Sequence, residues 1–123
     1  MIHYLIQQGQ TWVIDTKPLF ESIVNDLTRN VSAAAISRRS HNGLVTVLAE
    51  IASLVREGTS LDRVCLSGGM FHNAYLLGHL QRELEKRSFQ VFSHSEVPAG
   101  DGGLSLGQAL IAHHRDSRIE SLI

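Results

Sequence analysis

Two glycine-bearing segments hold the residues best suited to chemistry. The first is Leu66-Ser67-Gly68-Gly69-Met70-Phe71-His72-Asn73. Adjacent glycines carry no Cβ, so backbone there can approach a phosphate or a nucleoside closely. A helix beginning just after them offers free N–H groups and the positive end of its dipole to an anion. Ser67, Gly68 and Gly69 therefore form either a ligand cradle or a plain tight turn. Asn73 either hydrogen-bonds a ligand or caps its own helix. The second segment is Pro98-Ala99-Gly100-Asp101-Gly102-Gly103. Asp101 is its one carboxylate, and the glycines around it leave room to reach a metal or a ribose hydroxyl. Asp is equally a favoured N-cap for a helix that follows. Together the two loops favour a shared nucleotide cleft more than either does alone.

Seven histidines raise the question of a metal site. No pair stands at i, i+4, the helical spacing that brings two imidazoles to one ion. His72 and His79 lie two turns apart, about 10.5 Å along a helix axis. That is too far for one zinc with bonds of about 2 Å. His113 and His114 are adjacent and point about 100° apart. Most of the seven read as surface residues. His41 and His72 stand out as polar contacts, because each lies in a polar or glycine-bearing stretch. Cys65, between Val64 and Leu66, reads as a buried small hydrophobe in an apolar strand. A single cysteine excludes an internal disulfide and a CxxC metal site. The sequence contains no GxSxG, P-loop or paired catalytic carboxylates.

These residues need elements to hold them. Thr11–Asp15 reads as a strand through Trp12, Val13 and Ile14. Pro18 starts a helix where its missing N–H costs nothing, and Asn30 closes it. Leu19, Phe20, Ile23, Val24 and Leu27 give that helix an apolar stripe. Ser32 is an N-cap, followed by a short helix running into a longer one, with an irregularity near Gly43 and a stop at Gly58. Val64–Leu66 is a strand ending at the first glycine loop. The next helix spans about 72–86, with Leu76, Leu77, Leu80 and Leu84 inward. Phe89–Phe92 is a third strand. The last helix spans about 103–114, with Leu104, Leu106, Leu110 and Ile111 apolar, and 116–123 is expected to fray. Alternating strands and helices predict an α/β fold with a small, mainly parallel sheet. Both loops then lie at the carboxyl ends of strands, where open α/β sheets bind ligands.

The 123 residues fit one domain. With 43% hydrophobic and 19% charged residues the chain is globular rather than disordered. A net charge of −1 gives no pull toward nucleic acid. No apolar run approaches the roughly 20 residues of a membrane-spanning helix. The first ten residues lack the basic flank and apolar core of a signal peptide. A cytoplasmic location is expected.

The motifs resemble those of a known family. Residues 66–73 resemble the LSGGVFQN motif of the hydrogenase-maturation carbamoyltransferases, the HypF family, and Pro98 to Ala109 resembles their PxNDGGLALGQA stretch. Trp12 to Leu19 and the helix through Ser40-His41-Asn42 also resemble the preceding part of that domain, so the likeness covers about residues 12–115. It implies the C-terminal lobe of a Kae1-like domain in the actin-like ATPase (ASKHA) fold. It further implies ATP and AMP as nucleotides, with carbamoyl-adenylate as the donor. The acceptor would be the C-terminal cysteine of a HypE-like partner. Ser67, Gly68, Gly69, Asn73, Gly102 and Gly103 would line the nucleotide. Asp101 would complete a metal site, for Mg²⁺ or a transition metal such as Zn or Fe, with two histidines of an upstream lobe. Those histidines belong to an HxxxH segment that these 123 residues lack, so the chain is expected to be non-catalytic alone. His72 stands where the family has Gln, and Ser40 where an aromatic residue precedes His41. The lobe of another Kae1-type or antibiotic-type carbamoyltransferase is a second reading, since those share Gly-Gly-x-x-x-Asn. A third is a non-catalytic, self-associating interaction module or remnant.

Overall fold

The computed structural model describes residues 5–7 and 13–120, with side chains over 13–115. The first strand pair was only half legible. Strand β1 (Leu5–Gln7) pairs antiparallel with β2 (Val13–Asp15), with Ile6 opposite Ile14. Thr11 and Trp12, expected in that strand, lie outside the described residues. Asp15 then starts helix α1 (Lys17–Thr28), its Oδ1 accepting the Lys17 N–H at 2.9 Å. Pro18 sits in the first turn, as expected. Asn30, at φ 56°, ends the helix in the left-handed conformation, and the Val31 N–H donates back to the Asp26 carbonyl.

Ser32 caps helix α2 (Ala33–Thr59), accepting the Ala35 N–H at 3.4 Å. The helix runs unbroken through Gly43, so the expected irregularity does not occur. Its polar residues bond to their own helix. The hydroxyls of Ser40, Thr46, Ser53 and Thr59 each donate to the carbonyl four residues back. The stop is also two residues later than expected: Ser60, not Gly58, takes the left-handed position at φ 60°.

Strand β3 (Arg63–Leu66) leads through a 3-10 turn (Gly69–His72) into α3 (Ala74–Lys86). Strand β4 (Gln90–Ser93) lies parallel to β3, with Leu66 beside Ser93. A second 3-10 turn (Asp101–Gly103) opens α4 (Leu104–Glu120). The fold is thus α/β with a small parallel sheet flanked by helices. Among the described residues β2 does not join that sheet; it pairs only with β1. The backbone of 116–120 continues α4, and 121–123 lie outside the described residues.

One core unites α2, α3 and the parallel pair. Val45, Ala49, Leu66, Leu76, Leu80, Leu84 and Phe89 are buried together. The Arg56 guanidinium lies 4.0 Å over the Phe89 ring and donates to the Arg87 carbonyl at 2.7 Å. The Arg87 side chain in turn holds Glu83 and Ser53, which ties the end of α3 to α2. On the other flank, Arg39 Nη1 meets both oxygens of the buried Asp26 at 2.8 Å and fixes α1 to α2. Cys65 departs from expectation: it is exposed. A strand alternates its faces, and in this two-stranded sheet only the face carrying Leu66 is covered. No described helix is long and apolar enough to cross a membrane.

Candidate functional site

The two glycine segments meet. Both follow strands of one parallel pair, and the register that sets Leu66 beside Ser93 sets Ser67 beside His94. The Gly68 N–H donates to the Ala99 carbonyl at 2.7 Å. Gly68 holds φ 113°, ψ 160°, a conformation that side chains rarely tolerate, as the chain turns from β3 into the 3-10 turn. The loops also touch farther along. A Cβ on Gly100 would stand 2.9 Å from His72 Nε2 and 3.6 Å from Gly69 Cα. Within the second loop a Cβ on Gly103 would stand 2.6 Å from the Pro98 carbonyl oxygen. Glycine at 100 and 103 is what allows this packing.

A cleft of about 360 Å³ opens where the loops join. Its wall includes Ser67, Gly68, His94, Asp101, Gly103 and Gln108. His94 Nε2 lies 2.9 Å from Ser67 Oγ. Asp101 is exposed, and its carboxylate makes no hydrogen bond or ion pair with another described residue. Its main chain opens the 3-10 turn before α4, so its side chain is not consumed in capping a helix.

Asn73 is the N-cap of α3. Its Oδ1 accepts the Leu76 N–H at 3.2 Å. Its Nδ2 lies 2.9 Å from His41 Nε2. The opposite ring nitrogen of His41 lies 2.8 Å from the Ser37 carbonyl. Tyr75 stands edge-on to the His41 ring, lies against His79 with ring centres 4.1 Å apart and the planes tilted by 45°, and donates its O–H to Asn42 Oδ1 at 2.9 Å.

The whole arrangement has known counterparts. Residues 2–108 match the family model described as carbamoyltransferase, Kae1-like domain, second subdomain. The chain belongs to the HypF carbamoyltransferase family. The HypF carbamoyltransferase of a Synechocystis species is 31% identical over 79% of this chain and 12% of its own length. HypF2 of Cupriavidus necator is 32% identical over 89% of this chain and 13% of its own length. A crystal structure of full-length HypF in the phosphate- and nucleotide-bound form superimposes with a TM-score of 0.86 and 40% identity. That match covers 89% of this chain and 15% of that one. The chain therefore spans between about an eighth and a seventh of the length of these relatives.

Within this HypF subdomain the expected site residues divide. Ser67, Gly68, Asp101 and Gly103 line the cleft. Gly69 and His72 lie behind it, against Gly100. Gly102 packs on the Pro98 ring. Asn73 and His41 bond to each other. His94 reads from the sequence as one of the surface histidines, and it lines the cleft. Its signal was available: a parallel pairing of 63–66 with 90–93 puts the residue after one strand beside the residue after the other. Among the described residues no group of three His, Cys, Asp or Glu side chains can hold a metal. Asp101 could supply one ligand to an ion and no more.

Proposed function

We propose that the chain is the nucleotide-binding C-terminal lobe of a HypF-type carbamoyltransferase. It supplies one wall of a cleft in which a carbamoyl group passes from carbamoyl-adenylate to the C-terminal cysteine of a HypE-like acceptor. One observation carries the reading: the Gly68 N–H bond to the Ala99 carbonyl makes a single wall from both motif loops at the ends of parallel strands. The thiol gives up its proton to solvent, its sulfur attacks the carbamoyl carbon, the bond to the phosphate oxygen breaks, and AMP leaves with that bond's electron pair. The N–H groups of Gly68 and Gly103 are held by the Ala99 and Gly100 carbonyls, so the phosphate charge falls to the remaining N–H groups of the glycine loops. Asp101, exposed and without a partner among the described residues, is the one carboxylate lining the cleft and would hold Mg²⁺ or a transition metal. A metal bound there would polarise the carbamoyl or phosphate oxygen. The remaining ligands belong to another lobe, so transfer requires that lobe.

The test is a titration of the full 123-residue chain with ADP, ATP and Mg²⁺, following backbone amides by NMR. Shifts are expected at Gly68, Asp101 and Gly103. A well-dispersed spectrum with no shifts at any nucleotide concentration overturns nucleotide binding by this lobe. In an enzyme reconstituted with the upstream lobe, Asp101→Ala is expected to abolish transfer and leave the fold intact. Normal turnover in that variant removes the metal role.

A further inference from the structure

We infer that His41 is a positioning residue: it fixes which way the Asn73 amide faces, and thereby the donor and acceptor that Asn73 presents beside the first glycine loop. Two groups with a single role, the Leu76 N–H and the Ser37 carbonyl, set the directions; the Ser37 hydroxyl, 3.4 Å from His41 Nδ1, can take either role and fits both. The Leu76 backbone N–H can only donate, so the Asn73 atom 3.2 Å away is the oxygen. The Asn73 nitrogen then faces His41 Nε2 at 2.9 Å, and an amide nitrogen donates, so Nε2 must accept. The ring proton therefore sits on Nδ1. Nδ1 lies 2.8 Å from the Ser37 carbonyl, which can only accept. Four groups from α2 and α3 thus agree on one tautomer and one amide orientation. The flipped amide would set a donor against the Leu76 N–H and lose the cap. Tyr75 holds the imidazole edge-on, with ring centres 5.8 Å apart, and is itself anchored to Asn42.

In this orientation Asn73 retains one N–H and one oxygen lone pair for a ligand. Neither His41 nor Asn73 is among the residues lining the cleft of about 360 Å³; His41 acts through Asn73, which belongs to the first glycine motif. The inference deepens the nucleotide reading and rests on it only for the binding readout.

The test uses the ¹⁵N-labelled full chain and two substitutions. In the unaltered chain the imidazole spectrum is expected to show His41 protonated at Nδ1 only. His41→Gln places an acceptor oxygen as many bonds from Cβ as Nε2 is. His41→Asn keeps a donor near Nδ1 and has nothing at Nε2. His41→Asn is expected to shift the Asn73 side-chain NH₂ signals and to speed exchange of the Leu76 amide; His41→Gln is expected to restore both. A proton on Nε2, or unchanged Asn73 and Leu76 signals in His41→Asn, overturns the inference. With AMP and Mg²⁺ as the probe, His41→Asn is expected to weaken binding about tenfold, the worth of one hydrogen bond. His41→Gln is expected to recover most of that. Equal affinity in all three proteins overturns the link to the ligand. If the unaltered chain binds no AMP, the nucleotide reading fails, and the tautomer and Leu76 exchange still decide the role of His41.

Discussion

Helices α3 and α4 occupy equivalent places in the fold. Each follows a strand of the parallel pair through a glycine-bearing 3-10 turn, and each carries leucines at helical spacing. Their surroundings are opposite. In α3, Leu76, Leu80 and Leu84 are 3%, 2% and 1% exposed. In α4, Leu104, Leu110 and Ile111 are about 60% exposed, and the helix packs chiefly on the turn that leads into it. Helix α1 shows the same split along its own length: Leu19 is buried, while Phe20, Val24 and Leu27 face solvent. An apolar stripe says that a helix has a side to cover. It does not say that the cover lies in the same stretch of chain. In a relative of which this chain spans 12%, there is ample further polypeptide to lie over α4.

Leu80→Ala against Leu110→Ala tests that contrast most strongly. Emptying a fully buried leucine site is expected to cost about 2–5 kcal/mol. Leu110→Ala is expected to change stability by less than about 0.5 kcal/mol, the usual range at an exposed site. Urea titrations of both variants read the difference. A large loss at Leu110 means that α4 has a partner in solution, such as a second copy of the chain. Light scattering would then show a dimer that Leu110→Ala dissolves.

The two loops sharpen the same contrast. A Cβ on Gly69, before α3, meets no atom within 4 Å, whereas one on Gly103, before α4, meets the Pro98 carbonyl oxygen at 2.6 Å and Val97 Cγ1 at 3.0 Å. Backbone cannot move aside as a side-chain tip can, so Gly103→Ala is expected to cost about 1–3 kcal/mol by overpacking. It should also shift the Gly68 amide, whose acceptor Ala99 lies in the displaced loop. Gly69→Ala is expected to leave that amide where it is. Thermal melts and one amide spectrum per variant decide both points.

How much of this was legible follows the range of the signal. The helices, Ser32 as a cap and the strands at 64–66 and 89–92 rest on local spacing and capping chemistry, and they stand where they were expected to within a few residues. Two expectations failed where the outcome depends on partners distant in sequence, and a third failed within a single helix. Cys65 reads as buried from Val64 and Leu66, but burial of its face needs a layer that the described residues do not supply. Thr11–Asp15 reads as a strand of the parallel sheet, yet β2 finds β1. The polar run 37–43 reads as a break in a helix, yet it holds no proline and α2 runs through it, with the Ser40 hydroxyl and the His41 ring bonded to carbonyls one turn back. At the site, the loop residues were visible as glycines around an aspartate. His94 and the His41–Asn73 bond needed strand register and tertiary contact, which composition and spacing do not carry.

The smallest effect makes the closest comparison. Gly78 lies inside α3 and Gly107 inside α4, and a Cβ on either meets nothing within 4 Å. Alanine is the better helix former, so each Gly→Ala change is expected to add up to about 1 kcal/mol of stability. In stability the two substitutions should look alike. They should differ in binding, because Gly107 lines the cleft at the loop junction and Gly78 does not. Gly78→Ala is expected to raise the melting temperature and leave nucleotide affinity unchanged. Gly107→Ala is expected to raise it equally and weaken AMP binding, since the new methyl group takes space that a ligand would use. Equal affinity in the two variants would place the nucleotide away from α4, against the glycine loops alone.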